Sequence, residues 1–342
     1  ESVPATLSAS APPYDPPTTP TRGSPGASSS TSGRSDNQST MARPSATSRS
    51  GSLIEIVPVL GSVCDAPLVR RVLADHGVDI VLHAAAYKHV PLVEQNPVAG
   101  FANNVLGTHT LALAAGEAGV TRFILISTDK AVRPKNMMGA SKRMAELVVQ
   151  DLANRSEGTI YSMVRFGNVL GSSGSVIPLF HDQICKGGPV TLTHREVTRY
   201  FMTISEAARL VLLAGSFARG GDVFVLDMGD PVPIRKLAQQ MIEGAGFSVR
   251  DEANPNGDIE IKITGLRPGE KLHEELLISP DMLTTPHTKI LRAQESFLSE
   301  FEMATALKDL RQAIESYDEN AARAVILRWV EQAELDEAAQ SV

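Results

Sequence analysis

The chain has 342 residues, 42% hydrophobic and 21% charged, enough apolar content for one large domain or two ordinary ones. Its net charge of −7, with lysines and arginines spread rather than clustered, argues against nucleic acid as the main partner while leaving room for a nucleotide-sized ligand. Cys64 and Cys185 are the only cysteines, which excludes a disulfide framework or a cysteine-rich metal site, and no apolar run approaches the roughly 20 residues of a membrane span.

Residues 1–52 are dominated by Ser, Thr, Pro, Gly and Ala. Such a segment buries too little apolar surface to offset the entropy of ordering, so disorder is expected. The register changes at Leu53, where LIEIVPVLGSV reads as a buried strand ending in glycine. APLVRRVLADHG places Leu68, Val69, Val72 and Leu73 on one helical face, with Gly77 as a stop. VDIVLHAAA is a second buried strand, followed by a long helix carrying Val98, Phe101, Val105 and Ala112. RFILIS is a strand, GASKRMAELVVQDLA a helix with Met144, Leu147 and Val148 inward, and IYSMVRFGNV a further strand.

This alternation implies right-handed crossovers and an α/β doubly wound parallel sheet of Rossmann type. SEAARLVLLAGS and DVFVLDMG read as a helix and a strand returning to that sheet. The expected organisation is therefore a nucleotide-binding domain over 53–176 plus 204–230, a smaller substrate lobe over 177–203 plus 231–299, and terminal amphipathic helices over 300–342.

Ligands of open parallel sheets bind beyond the carboxyl ends of the strands, and polar residues collect there: Asp65, the AAAYKHV segment, STDK and RFGNV. Taken singly each has a plain structural reading. Asp65 suits a helix cap, Ala84 to Ala86 a close helix crossing, Lys88 and His89 a solvated surface, and Gly167–Asn168 an ordinary turn. Their recurrence at one sheet edge favours a site. His273 in LHEEL has no H-E-x-x-H spacing and no partner histidine, so no metal is expected.

The segments HAAAYKHVPLVEQNP, ILISTDKAVRPKNMMGASKRMAE, VRFGNVLGSSGSVIPLF and LRPGEKLHEEL resemble the UDP-N-acetylglucosamine 4,6-dehydratase group of extended short-chain dehydrogenase/reductases, over about Leu53 to Leu277. The resemblance implies NAD as cofactor and a UDP-sugar as substrate. Hydride leaves C4, water is eliminated across C5 and C6, and hydride returns to C6. By resemblance Asp129 protonates the leaving hydroxyl, Lys130 takes the C5 proton, Thr128 bonds the C4 oxygen, and Lys142 holds the nicotinamide ribose. Met138 stands where the smaller members carry tyrosine, a feature shared with their larger membrane-anchored relatives. Deprotonation at C4 then falls to Asp129, Lys142, Thr128 or water.

The resemblance further implies Asp65 at the adenine, with Ala84, Ala85, Ala86, Lys88, Asn104 and Ser127 along the cofactor, and Asn168, Arg199, Arg267 and Glu270 on the UDP-sugar. It implies a homo-oligomer. With the cysteine usage and the first residue Glu1, it leads to the expectation of a cytoplasmic domain from a membrane-anchored parent.

The family's first β-α-β unit, with its G-x-x-G-x-x-G loop, belongs just before LIEIVPVLG, where the Ser/Pro/Thr tract stands instead. That abrupt join is read as an out-of-frame version of the cofactor-binding segment. Three outcomes are open: a dehydratase, a UDP-sugar epimerase, or a catalytically silent fragment that lost its glycine loop.

Overall fold

The computed structural model describes residues 46–47, 53–172, 174–275, 282–293 and 295–340. The chain divides into two compact units, residues 1–59 and 60–342. In the first, Ala46–Thr47 and Leu53–Ile54 pair antiparallel, with Ala46 opposite Ile54. The remainder of the expected disordered segment 1–52 lies outside the described residues.

The expected buried strand from Leu53 to Val63 is not formed. Only Leu53–Ile54 is strand, while Ile56, Val57 and Val59 are exposed, as is Leu60 in the second unit. A buried strand needs a hydrogen-bonded neighbour and a face to cover it. The short Leu53–Ile54 strand belongs to a two-stranded sheet and takes no place in the large one.

The second unit is built on a six-stranded sheet. Ile80–His83, Arg122–Ile126, Ile160–Arg165 and Asp222–Leu226 run parallel in that spatial order. Ile290–Ala293 adds antiparallel to Asp222–Leu226, and Met282–Thr284 pairs beyond it. Residues 282–293, grouped with the smaller lobe on sequence, thus continue the main sheet. At the opposite edge no described strand pairs with the outer side of Ile80–His83, and Ile80 and Leu82 are 51% and 49% exposed.

Side chains of the central strands alternate between two cores, as the period of two requires. Phe123, Leu125, Tyr161 and Met163 join the core under the helix Met137–Arg155. Ile124, Val164, Phe224 and Leu226 join the other, under Ile204–Phe217. This is the doubly wound arrangement.

Helix Met137–Arg155 starts where the Asn136 side chain accepts from the Gly139 N–H at 2.8 Å. It is rich in good helix formers and ends at the extended Ser156. Gly139 is required for packing: a Cβ there would lie 2.2 Å from the Lys130 carbonyl oxygen. The helix is buried on nearly every face, by the sheet below and by the helices Glu300–Glu315 and Glu319–Gln340 outside. The first of these outer helices opens on a reciprocal Ser299–Glu302 capping box. Met303, Leu307, Leu310 and Val330 share one core with Met144, Leu147 and Val148.

The smaller lobe has its own core. Helices Val176–Cys185 and Ile234–Gly244 cover a parallel sheet of Val190–Leu192, Ile259–Ile263 and Val249–Arg250. No described helix is long and apolar enough to cross a membrane.

Candidate active site

A cavity of about 920 Å³ opens at the carboxyl ends of the parallel strands, between the main sheet and the smaller lobe. Its wall includes Ala84, Ala86 and Lys88 after the first parallel strand, Ser127, Thr128 and Lys130 after the second, and Asn168 after the third. Met138 and Lys142 reach it from their helix, and Arg199, Arg267 and Glu270 from the lobe. Asp65, Ala85, Asn104 and Asp129 are not on the wall.

Asp129 is fully buried beside it. Its Oδ1 accepts from Thr128 Oγ1 at 2.9 Å and from Lys130 Nζ at 3.0 Å, while Oδ2 has no partner. Lys130 Nζ also lies 3.4 Å from Asn168 Oδ1 and 3.4 Å from Glu274 Oε1. Burial works against the Lys130 ammonium, but the Asp129 and Glu274 carboxylates outweigh it and hold its pKa above the ordinary lysine value. The resting state is an ammonium between two carboxylates.

Lys142 is different. Its ammonium is buried and donates to the Ile126 carbonyl at 2.6 Å. Burial pulls its pKa down to about 8, against a smaller upward pull from Glu146. Beneath it, Arg143, Glu146, Arg165 and Glu295 form a buried ionic cluster. Arg165 binds both carboxylates, and Ser127 donates to Glu146 at 2.5 Å. Burial alone would raise Glu146, but Arg165, Arg143 and Ser127 hold it at about 2. The cluster therefore fixes Ser127 and the Lys142 helix turn as one rigid body.

Asn104 works from behind the wall. It lies in a π-helical turn, Ala102–Leu106, which interrupts the expected long helix. Its side chain takes the Tyr87 N–H at 2.7 Å and donates to Tyr87 O at 3.0 Å and Ser141 Oγ at 2.9 Å. It thereby pins the loop after the first parallel strand to the Lys142 helix, a common use of π-turns near sites. Asn103 likewise donates to Ala85 O at 3.2 Å. Asp65 is the N-cap of Ala66–His76, accepting from Leu68 N at 3.1 Å, which is its plain reading.

Arg267–Glu270 forms a tight turn in which Gly269 has φ 74° and Glu270 N donates to Arg267 O at 3.0 Å. Proline then glycine supplies the conformations such a turn needs. Glu270 Oε1 accepts from Arg199 at 3.1 Å and Thr193 at 2.9 Å, and Oε2 accepts from Arg267 N at 3.1 Å. Glu270 thus orients Arg199, whose other terminal nitrogen donates to Thr198 O and Leu272 O.

Two residues went unnoticed in sequence. Glu274 is 7% exposed, lines the cavity and reaches both Lys130 and, at 3.9 Å, Arg199 Nε. It lies in LRPGEKLHEEL, a segment that carries the resemblance, and its acidity next to the R-P-G-E-K turn is the available signal. Glu94, also on the wall, takes the Met137 N–H at 2.9 Å and is held by Arg323 at 2.7 Å. No group of metal-ligating side chains occurs among the described residues.

The family described as polysaccharide biosynthesis protein matches residues 32–295. That match begins upstream of Leu53, where the sequence reading starts the family pattern. The capsular polysaccharide biosynthesis protein CapD of Staphylococcus aureus is 50% identical over 264 residues, 76% of this chain and 42% of that protein. The chain thus spans less than half the length of that relative. A UDP-glucose 4-epimerase of Rickettsia rickettsii is 41% identical over 211 residues, 61% of this chain and 59% of that protein. Among solved structures, the dTDP-glucose 4,6-dehydratase DesIV of Streptomyces venezuelae, with NAD bound, is 26% identical with a TM-score of 0.55, covering 63% of this chain and 69% of that one.

Proposed function

The chain belongs to the polysaccharide biosynthesis protein family, and from that premise we propose that its cavity is the site of a UDP-N-acetylglucosamine 4,6-dehydratase making a UDP-4-keto-6-deoxy sugar. The observation that carries this reading is the Asp129–Lys130 pair at 3.0 Å, set at the cavity beside Thr128. An elimination needs one base and one acid on neighbouring carbons, and this pair supplies both. An epimerase of the tyrosine type would need a hydroxyl at position 138, where this chain has methionine.

Ser127, Met138 and Lys142, with Ala84 and Ala86, fit the nicotinamide ribose end of NAD. No glycine-rich turn of G-x-x-G-x-x-G or G-x-G-x-x-G spacing, the usual cradle for its pyrophosphate at a helix N-terminus, occurs in the sequence. The dinucleotide supplies the redox change at C4 and C6, and the chain handles protons. Transfer of one proton from the Lys130 ammonium to Asp129 gives a neutral amine and a carboxylic acid. The amine takes the C5 proton and becomes an ammonium again. The acid passes its proton through the Thr128 hydroxyl, 2.9 Å away, to the C6 hydroxyl, which leaves as water. Both groups are then back at their resting charges. When C6 is reduced, the Lys130 ammonium returns a solvent-exchanged proton to C5, and the proton shed by the C4 hydroxyl, by way of Asp129, Lys142, Thr128 or water, makes good that loss. Arg199 and Arg267 face the diphosphate, where guanidinium geometry suits paired oxygens.

The test is incubation of the chain with UDP-N-acetylglucosamine and excess NAD+ in D2O, followed by NMR. The expected product is a 4-keto-6-deoxy sugar carrying deuterium at C5, absent for Lys130→Met. A C4 epimer without deuterium would make the chain an epimerase, and bound but unchanged substrate a silent fragment. A homo-oligomer, read from the resemblance, would show as a multiple of 36.5 kDa in light scattering.

A further inference from the structure

The cavity meets the two halves of a dinucleotide very unequally. At the nicotinamide end of the proposed reading Ser127, Met138 and Lys142 share the wall with Ala84 and Ala86, and the Lys142 ammonium is tethered to the Ile126 carbonyl. Outward from Ala84, no further strand of the large sheet stands among the described residues. Ile80–His83 is the sheet edge, with Ile80 and Leu82 half exposed.

A pyrophosphate in such a sheet is held by backbone N–H groups of a glycine-rich turn leading into a helix N-terminus. Neither G-x-x-G-x-x-G nor G-x-G-x-x-G spacing occurs anywhere in the 342 residues. The helix before the edge strand, Ala66–His76, has its N-terminus closed by the Asp65 carboxylate, a negative group where an anion needs donors. The helix after it, Val90–Gln95, is only 6 residues long and has a proline, without an N–H, in its first turn.

We propose that this chain binds nicotinamide nucleotides through the nicotinamide ribose phosphate alone, so that the adenosine half of NAD adds nothing to affinity. Nicotinamide mononucleotide is then as good a ligand as the dinucleotide. The inference rests on reading this cavity as a dehydratase-type site.

The experiment is titration of the full chain with NAD+, nicotinamide mononucleotide, ADP-ribose and UDP, followed by ligand-observed NMR. The expected result is NAD+ and the mononucleotide binding within about threefold of each other, less than the tenfold that 1.4 kcal/mol would give, with no binding of ADP-ribose and clear binding of UDP. Lys142→Met should weaken both nicotinamide ligands by the same factor and leave UDP unchanged. NAD+ binding tenfold tighter than the mononucleotide, or any ADP-ribose binding, overturns the proposal. So does silence from both nicotinamide ligands while UDP binds, an outcome that leaves the nucleotide-sugar reading standing. Equal binding of the nicotinamide ligands without UDP sinks that reading and keeps this one, and no binding at all sinks both.

Discussion

The helix Met137–Arg155 and the edge strand Ile80–His83 flank the same cavity, yet one is the most enclosed element of the sheet's surroundings and the other among the least. Sixteen residues of the helix, Arg143 and Glu146 included, are buried, whereas the strand exposes Ile80 and Leu82. On the proposed reading the helix carries Met138 and Lys142 to the nicotinamide end, where packing is dense. The edge strand lies toward the adenosine end of that reading, where no further strand of the large sheet stands among the described residues. The two sides of one cavity therefore differ sharply in burial.

The sharpest way to break this contrast is to attack the helix from below. Arg165→Met leaves the buried Glu146 and Glu295 without their shared guanidinium, and stability should fall by about 3–5 kcal/mol. A urea midpoint shift corresponding to less than about 1 kcal/mol would show that the cluster does not hold the site together. Next, Lys130→Met should lower the dehydration rate by about 10²–10⁴-fold with an unchanged circular dichroism spectrum. An unaltered rate would remove Lys130 from the proton chemistry.

A third test uses pH. Because the folded Lys142 pKa is about 8, against 10.5 unperturbed, binding that needs its ammonium should decline as pH rises through 8. Lys142→Arg should flatten that decline. The linked stability has the opposite slope: between about 8 and 10.5 the unfolded chain binds more protons, so stability rises with pH there. Urea midpoints across that range check the sign.

Smaller effects complete the comparison. Arg323→Met removes the partly exposed tie to Glu94 and should cost about 1 kcal/mol at most, read in the same denaturation series. Replacing Ile80 and Leu82 by lysine should change stability by about 0.5 kcal/mol or less, while reducing self-association in light scattering, since charged edges resist pairing. A large loss there would mean that the edge is covered in solution.

Much of this was legible in the sequence where a pattern is local. The Ile80–His83, Arg122–Ile126, Ile160–Arg165 and Asp222–Leu226 strands each carry a compact apolar run, and the helices between them show their own period. The run after Leu53 looked equally strand-like, but a strand is defined by its neighbours, and composition does not reveal an absent one. Asp129 and Lys130 were readable because they are adjacent. Glu274 and Glu94 were not, since each matters only through folding: Glu94 meets Arg323 across 229 residues. Asn104 was placed at the cofactor by resemblance, whereas its hydrogen bonds go to Tyr87 and Ser141. The π-turn that aims it carries no sequence mark beyond a pair of asparagines.

The outer helical pair also sets an order of events during synthesis. Residues 129, 130 and 142 emerge from the ribosome long before Glu295 and Arg323, which lock the cluster under Ser127 and the first turn of the Met137 helix. Until those late residues arrive, Arg143 and Arg165 lack the Glu295 carboxylate and the helix lacks its outer cover. The nascent chain thus carries its four parallel strands before the residues that complete the cluster and cover the Met137 helix.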